Sequence, residues 1–242
     1  MTAFALIFLA GALFFALERR FPGRALRASP GWYARAILLN SVQLGIVLLG
    51  GITWAVWLQG PSLFRIGDVL PPVLQGFVAW FIGTFVFYWW HRARHAVDLL
   101  WRVFHQVHHS ASRIETLTAF YKHPLEIAVN SVVSTAIVFV LLGASTEASP
   151  WYSFFAALGE FYYHCNLRTP RWSGYFIQRP EAHSIHHQLD IHDFNYGDIT
   201  WWDRLFGTYR DPDVFAPACG YHGARERQLL DMLVFKDVNR AG

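Results

Sequence analysis

Residues 77–110 read FVAWFIGTFVFYWWHRARHAVDLLWRVFHQVHHS, an apolar run followed at once by twenty residues of which five are histidine. The apolar run, with tryptophans at its end, is typical of a membrane-spanning helix that terminates at the interface. The histidines that follow recur at spacings of three and four residues, so a helix would bring them to one face. This stretch therefore predicts a span that carries a set of imidazoles just beyond the membrane.

The composition of the whole chain supports a membrane protein. The chain has 242 residues, of which 54% are hydrophobic and only 15% are charged, whereas soluble domains average about 25% charged residues. Its two cysteines, Cys165 and Cys219, form no C-x-x-C motif. A cysteine-based zinc module or a disulfide scaffold is therefore not expected.

Five apolar stretches divide the chain, and a spanning helix needs roughly 20 mostly apolar residues. They lie at about 3–17, 36–58, 73–90, 125–143 and 151–163. The last is short and contains Glu160, so it reads as a span, a re-entrant segment or a helix buried in protein. We predict an all-α integral membrane protein with four to five transmembrane helices.

The distribution of positive charge predicts the orientation. The loop at 18–35 carries five arginines, whereas Arg65 is the only one of the 20 lysine and arginine residues that falls in the predicted outer loops, 59–72 and 144–150. Because cytoplasmic loops are enriched in these residues, the pattern predicts five crossings. It also places all twelve histidines on the cytoplasmic side, in or beside a helical cap.

We expect one domain over residues 1–242. Residues 1–60 would form N-terminal anchor helices, and about 80–210 the catalytic core. No internal repeat or long linker interrupts this arrangement.

A second histidine triplet follows 78 residues after the first, since HSIHH at 183–187 repeats the spacing of HQVHH at 105–109. Pro180 and Glu181 suit the first turn of a helix that carries it. Imidazole binds zinc, copper, iron and nickel, and eight or nine histidines are too many for one ion but suit two. The candidate ligands are His91, His95, His105, His108, His109, His164, His183, His186 and His187.

A two-metal, all-imidazole site at a membrane face best fits dioxygen chemistry on a lipid. A membrane zinc hydrolase is an alternative, although H-E-x-x-H is absent. A non-enzymatic metal transporter or sensor is a second alternative, but it would need metal-binding residues inside the spans. His192 and His222 are isolated and are expected not to be ligands.

The motifs HRARH, HQVHH, HSIHH and DFNYGDITWWDRLFGTY, together with KHPLE at 122–126, resemble the fatty acid hydroxylase and sterol desaturase superfamily of integral-membrane di-iron oxygenases. The resemblance covers about 80–210. The three-residue gap in HRARH is most similar to the branch that contains alkylglycerol monooxygenase and the sterol-modifying enzymes.

The resemblance implies an oxidoreductase that hydroxylates or desaturates a lipid in the bilayer, such as a sterol, a fatty acyl chain or an ether lipid. It implies two iron ions as cofactor, replaceable by zinc on overexpression, with O2 as co-substrate. It also implies a separate electron donor, a reductase with a ferredoxin or a cytochrome, because the chain has no redox motif of its own. No nucleic-acid partner is expected.

Several polar residues near the boxes have more than one reading. Glu160 stands where some family members have a further histidine, and it would bind metal, hold a bridging water or only pack. His123 would be a tenth ligand or begin a helix before Pro124. The aspartates after the last box would orient histidines or shape turns, with Asp203 also expected to pair with Arg204; they are Asp190, Asp193, Asp198 and Asp203.

Six arginines around the boxes would steer an acidic electron donor or only fix the topology. They are Arg92, Arg94, Arg102, Arg168, Arg171 and Arg179.

Overall fold

The computed structural model describes residues 2–239. Residue 1 and residues 240–242, the ends of the predicted single domain, lie outside the described residues. Within the described part the regular elements are helical, apart from two isolated β-bridges, so the predicted all-α class is confirmed. The α-helices are α1 Thr2–Arg20, α2 Trp32–Ile52, α3 Trp54–Trp57, α4 Pro72–Ala96, α5 Asp98–Leu100, α6 Gln106–His109, α7 Pro124–Thr135, α8 Ala148–His164, α9 Pro180–His186, α10 Thr200–Leu205 and α11 Leu229–Leu233.

Short helical turns of other types join these helices. Two are π-helical and follow or precede an α-helix directly, at Trp101–His105 and Ala136–Leu141. Four are 3₁₀ turns, at Ile66–Asp68, Thr116–Thr118, Arg171–Tyr175 and Arg225–Arg227.

Three helical stretches of residues 2–239 are long and apolar enough to cross a membrane. They are α2 with α3 (Trp32–Trp57), α4, and α7 with its π-helical extension (Pro124–Leu141). Helices α1 and α8 have 19 and 17 residues and pack beside them. Spanning by α1 and α8, and with it a total of five crossings, stays a prediction.

Helix α8 packs against α4 and α1. At Gly76 of α4 a Cβ would lie only 2.8 Å from the backbone nitrogen of Tyr152 and 2.9 Å from the carbonyl oxygen of Ala148. Glycine therefore permits the close approach of α4 to α8. That approach matters because both helices end at histidines of the candidate site.

The rest of the chain forms a cap under the bundle, with its own core. Val107, Tyr121, Tyr221 and Met232 are buried there together with Trp32 of α2. Helix α9 begins with Pro180 at its first turn, where the missing N–H costs nothing, and it ends within the second histidine triplet. The cap thus holds both triplets against the ends of α4 and α8.

Two of the six arginines expected on a basic docking surface are buried instead. Arg94 pairs with Glu126, and Arg179 donates to Asp211 Oδ1 at 2.7 Å. A charged group this deep needs a partner in the protein, so both act inside the fold. The expected surface therefore lacks Arg94 and Arg179.

Candidate metal centre

Nine buried or partly buried histidines form two adjoining groups in the structure. One ring nitrogen from each member of a group lies within 4.8 Å of those from all the others. The five-histidine group consists of His91, His95, His105, His109 and His186. The four-histidine group consists of His108, His164, His183 and His187. These are the nine histidines that the sequence singles out.

Each H-x-x-H-H box divides its histidines between the two groups. The first and last residues of a box are four apart, and on a helix they project to the same side. In the first box these two, His105 and His109, join the five-histidine group, and the middle histidine, His108, joins the other. In the second box the first and last histidines, His183 and His187, join the four-histidine group, and His186 joins the five-histidine group. Neighbouring histidines in each box thus face different groups.

The five-histidine group has an unusual set of buried, unpartnered nitrogens. The Nε2 atom of every one of its members is buried and has no hydrogen-bond partner in the protein. Buried polar atoms without partners are rare because each loses its hydration. Five unpartnered Nε2 atoms that converge on one point fit a metal ion, because imidazole nitrogens bind metal ions readily.

Carbonyl and carboxylate oxygens orient the rings of this group. His91 Nδ1 donates to the carbonyl of Tyr196, and His186 Nδ1 to that of Phe194, both at 2.7 Å. His105 Nδ1 lies 3.4 Å from Glu126 Oε2 and 3.0 Å from Nη1 of Arg94. With the proton on Nδ1 in His91 and His186, Nε2 of these rings keeps the lone pair that a metal requires.

In the four-histidine group the Nε2 atoms approach one another closely. His164 Nε2 lies 3.3 Å from that of His108 and 3.0 Å from that of His183, which lies 3.1 Å from that of His187. Two nitrogens that bind one ion at about 2.1 Å, at angles near 90–110°, lie roughly 3.0–3.4 Å apart. The spacing therefore fits a shared ion.

The Nδ1 atoms of the same group explain why an ion is needed. His164 Nδ1 donates to the carbonyl of Glu160 at 2.9 Å, His108 Nδ1 to that of Tyr121 at 3.3 Å, and His183 Nδ1 to Oε1 of Gln178. Each of these neutral rings has its one proton on Nδ1, so their Nε2 lone pairs face each other. A cation between them removes that repulsion, and the donor set fits a metal.

Burial keeps the cap histidines neutral. Loss of hydration lowers the pKa of His186 to about 3 and takes the pKa values of His183 and His187 well below the usual range, with neighbouring histidines adding to the effect. Metal ligands must be deprotonated. The rings are thus in the form that a metal binds.

Asp203 acts on the group through a peptide turn. Its carboxylate accepts from the N–H groups of Tyr196 and Gly197, both at 2.8 Å, and from the Thr208 hydroxyl at 2.7 Å. This fixes the carbonyl that receives His91 Nδ1. The prediction that Asp203 pairs with Arg204 is wrong, because Nη2 of Arg204 donates to the Gly174 carbonyl instead.

The other residues with open roles lie outside both groups. Glu160 Oε1 pairs with Lys122 Nζ at 2.5 Å. His123 is the N-cap of α7 and accepts from the Leu125 N–H at 3.1 Å. Asp190 is exposed and pairs with His222 at 2.9 Å, so it has no contact with the site.

Two further aspartates differ in their surroundings. Asp193 is exposed. Asp198 Oδ1 accepts from the Tyr163 hydroxyl at 3.0 Å, and loss of hydration raises the pKa of Asp198 to about 7.

Sequence reasoning did not find several residues that support the site. Gln178 holds His183, and the Arg94–Glu126 pair adjoins His105. Their only sequence signal is an uncommon polar residue in an apolar setting, which Glu126 at the start of a span does give. His192 lies outside both groups, but both its ring nitrogens are buried without a partner and its ring centroid lies 5.0 Å from that of His109, so its expected non-ligand role stays a prediction.

A cavity of about 540 Å³ opens from the histidines into the bundle. Helix α8 lines it from Ser149 to His164, about 22 Å at 1.5 Å per residue. Histidines of both groups line one end, and apolar side chains with scattered uncharged polar ones line the remainder. Among the described residues its charged lining is confined to the histidine end and consists of Arg94, Lys122, Glu126, Glu160 and Asp198.

Comparison with known proteins agrees with this site. The fatty acid hydroxylase family model matches residues 76–208, which include all nine histidines. The chain belongs to the fatty acid hydroxylase family. The chain is therefore an oxidoreductase. Its three long apolar helices and the cavity between them are those of a membrane enzyme.

The chain is similar to several characterised relatives. It is 32% identical over 179 residues to the very-long-chain aldehyde decarbonylase GL1-9 of Oryza sativa, covering 72% of this chain and 69% of that protein. It is 25% identical to the sphingolipid C4-hydroxylase sur2 of Schizosaccharomyces pombe, over 65% and 58% of the two chains. It is 31% identical to a Delta(7)-sterol-C5(6)-desaturase of Nicotiana tabacum, over 61% and 55%. No solved structure matches.

Proposed function

We propose that the protein is a membrane-bound di-iron oxygenase that uses O2 and external electrons to hydroxylate or desaturate a C–H bond of a lipid. The observation that carries the proposal is the pair of imidazole groups at one end of a cavity between apolar helices. The relatives, which are named as a lipid hydroxylase, a sterol desaturase and an aldehyde decarbonylase, support a lipid as substrate.

The nine histidines would hold one iron in each group. When bound, the iron pair supplies activation of dioxygen and removal of hydrogen from an unactivated C–H bond. The chain's own part is to keep nine rings neutral, to orient those whose Nδ1 atom has a partner, and to exclude bulk water from the cavity end. The buried Arg94–Glu126 pair and Gln178 hold ring positions, so they are positioning residues.

The substrate would enter from the bilayer. The cavity is lined by helices that are apolar enough to span, and α8 gives it the length of an extended hydrocarbon chain. We place the metal centre on the cytoplasmic face, since positive charge is concentrated in the cap and in the loop at 18–35.

Electrons would come from a separate reductase with a ferredoxin or a cytochrome. The exposed Arg168 and Arg171 support contact with an acidic donor by electrostatic steering.

The proposal is tested by turnover of the purified, iron-loaded protein. The protein is mixed with membrane lipid extract, a reductase and a ferredoxin, with or without O2, and the lipids are analysed by mass spectrometry. We expect lipids that gain an oxygen atom or lose two hydrogens only when O2 and electrons are present. The His108→Ala/His186→Ala variant is the inactive control. Lipid cleavage by zinc-loaded protein without O2 would contradict the proposal and favour a hydrolase.

A further inference from the structure

The two histidine groups correspond to each other except at one position. Each contains the first and last histidine of one H-x-x-H-H box and the middle histidine of the other. The five-histidine group adds His91 and His95 of α4, whereas the four-histidine group adds only His164 of α8. The position that would complete the correspondence, four residues before His164, is occupied by Glu160.

Glu160 does not take the place of a fifth ligand. Its Oε1 is 2.5 Å from Nζ of Lys122. Its Oε2 has no hydrogen-bond partner in the protein and lies 3.4 Å from Nδ1 of His164, whose proton goes to the Glu160 carbonyl. The carboxylate is therefore turned toward Lys122 and has one free, buried oxygen.

The cavity contains a second ion pair, Arg94–Glu126, with which the Lys122–Glu160 pair can be compared. The Arg94 and Glu126 side chains are 5% and 1% exposed, and both contact His105. The Lys122 and Glu160 side chains are 9% and 20% exposed, and both line the cavity. Charges in a membrane bundle are costly and mark functional positions. Both pairs line the cavity and adjoin a candidate ligand, but the Lys122–Glu160 pair is the more exposed of the two and has an unpartnered carboxylate oxygen.

We infer that Lys122 and Glu160 form a subsite for an uncharged hydroxyl head group of a single-chain lipid, with the alkyl chain along α8. The inference rests on the proposed function and names its substrate class. One hydroxyl satisfies both partners, because it donates to Glu160 Oε2 and accepts from Lys122 Nζ. Away from the histidine end, the cavity lining carries no charged side chain among the described residues. The head group therefore binds at the histidine end.

The charged side chains at the histidine end of the cavity disfavour charged head groups. A carboxylate or a phosphate would face the unpartnered Oε2 of Glu160, and an ammonium would face Nζ of Lys122. A hydroxyl has both a donor and an acceptor, so it meets neither partner with a like charge. Because Glu160 adjoins His164, the carbon presented to the centre is close to the head group.

The test compares three probes that differ only in their head group. They are dodecan-1-ol, dodecanoic acid and dodecylamine, titrated into the iron-loaded protein in detergent while thermal unfolding is followed. We expect the alcohol to stabilise the wild-type protein most. The Lys122→Met/Glu160→Gln variant should bind the alcohol at least tenfold more weakly. The matched control, Lys236→Met/Asp231→Asn, neutralises an exposed ion pair and should bind like the wild type.

The single variants keep the test decisive if the double variant does not fold. Lys122→Met leaves an unpaired carboxylate and should now prefer dodecylamine, whereas Glu160→Gln should prefer dodecanoic acid. Equal alcohol binding in wild type and double variant, or no preference of the wild type for the alcohol, would overturn the inference. Loss of an iron ion in Glu160→Gln would overturn it by making Glu160 a ligand. A wild type that folds without bound iron would instead count against the proposed function.

Discussion

At the scale of single residues, the site depends on the atoms that the Nδ1 nitrogens of six of the nine histidines contact. The sequence singles out eight of the nine histidines by their spacing and His164 by its place at the end of the fifth apolar stretch, but it does not show their oxygen partners. The carbonyls of Phe194 and Tyr196 come from a turn, and Gln178 lies five residues before His183. Backbone carbonyls have no residue-type signal, so these partners required the folded structure.

Replacement of Gln178 tests ring orientation. Gln178→Met removes the acceptor of His183 Nδ1, so we expect roughly 10–100-fold weaker metal binding by the four-histidine group. Gln178→Glu keeps an acceptor there and should bind metal more tightly than Gln178→Met. Competition with a chelator of known affinity measures both. Identical affinities for the two variants would show that Gln178 does not orient the ring.

Replacement of Asp203 tests the turn that carries the Tyr196 carbonyl. Asp203→Ala leaves two buried N–H groups and the Thr208 hydroxyl without their acceptor, and each unsatisfied group costs about 1–3 kcal/mol. We expect a clear loss of thermal stability, measured by circular dichroism in detergent. Asp213→Ala, which breaks an exposed pair with Arg171, is the control and should change little. Equal effects would refute the role of Asp203.

At the scale of elements, the helices do more than present one face. The sequence predicts that each H-x-x-H-H box presents one helical surface, and the structure divides that surface between two groups. The first box begins at the last residue of a π-helical turn, Trp101–His105, a distortion that often occurs at functional sites. Its position depends on packing against α4 and α7, which spacing alone does not reveal.

The contact of α4 with α8 is open to a direct test. Gly76→Ala adds a methyl group where backbone atoms of α8 lie within 3 Å, so the helices must separate, at about 1–3 kcal/mol for an overpacked site. Gly45→Ala adds the same group in α2 where nothing lies within 4 Å. We expect a lower unfolding temperature for Gly76→Ala only. Similar temperatures for both variants would mean that this contact does not hold the bundle.

At the scale of the whole molecule, composition predicted the fold class, whereas the positions of the arginines in the sequence did not predict which of them are exposed. The hydrophobic content and the apolar stretches led to the all-α bundle that the structure has. The arginines around the boxes read as a surface, but burial of Arg94 and Arg179 turned two of them into internal partners. Sequence pattern gives the sign of a charge, and only the fold decides whether it meets solvent.

Stability of the metal-free protein should depend on pH in one direction. The pKa of His186 is about 3 in the folded protein against a reference value of 6.5, and the pKa values of His183 and His187 are lowered as well. The unfolded chain therefore takes up protons first as the pH falls below about 6.5. Stability is complete above that pH and declines toward pH 3. An unfolding temperature that stays constant from pH 7.5 to 5, in scans at several pH values, would contradict this.

The central claim is that the nine histidines hold two metal ions, one in each group. The most direct measurement is metal content per chain by mass spectrometry, on folded protein expressed with iron and zinc available. We predict about two ions in the wild type, mostly iron, with loss of one group's ion in His108→Ala and of the other's in His186→Ala. His222→Ala, at an exposed histidine paired with Asp190, should keep both. Folded wild-type protein without stoichiometric metal, or full metal content in His108→Ala and His186→Ala, would contradict the account.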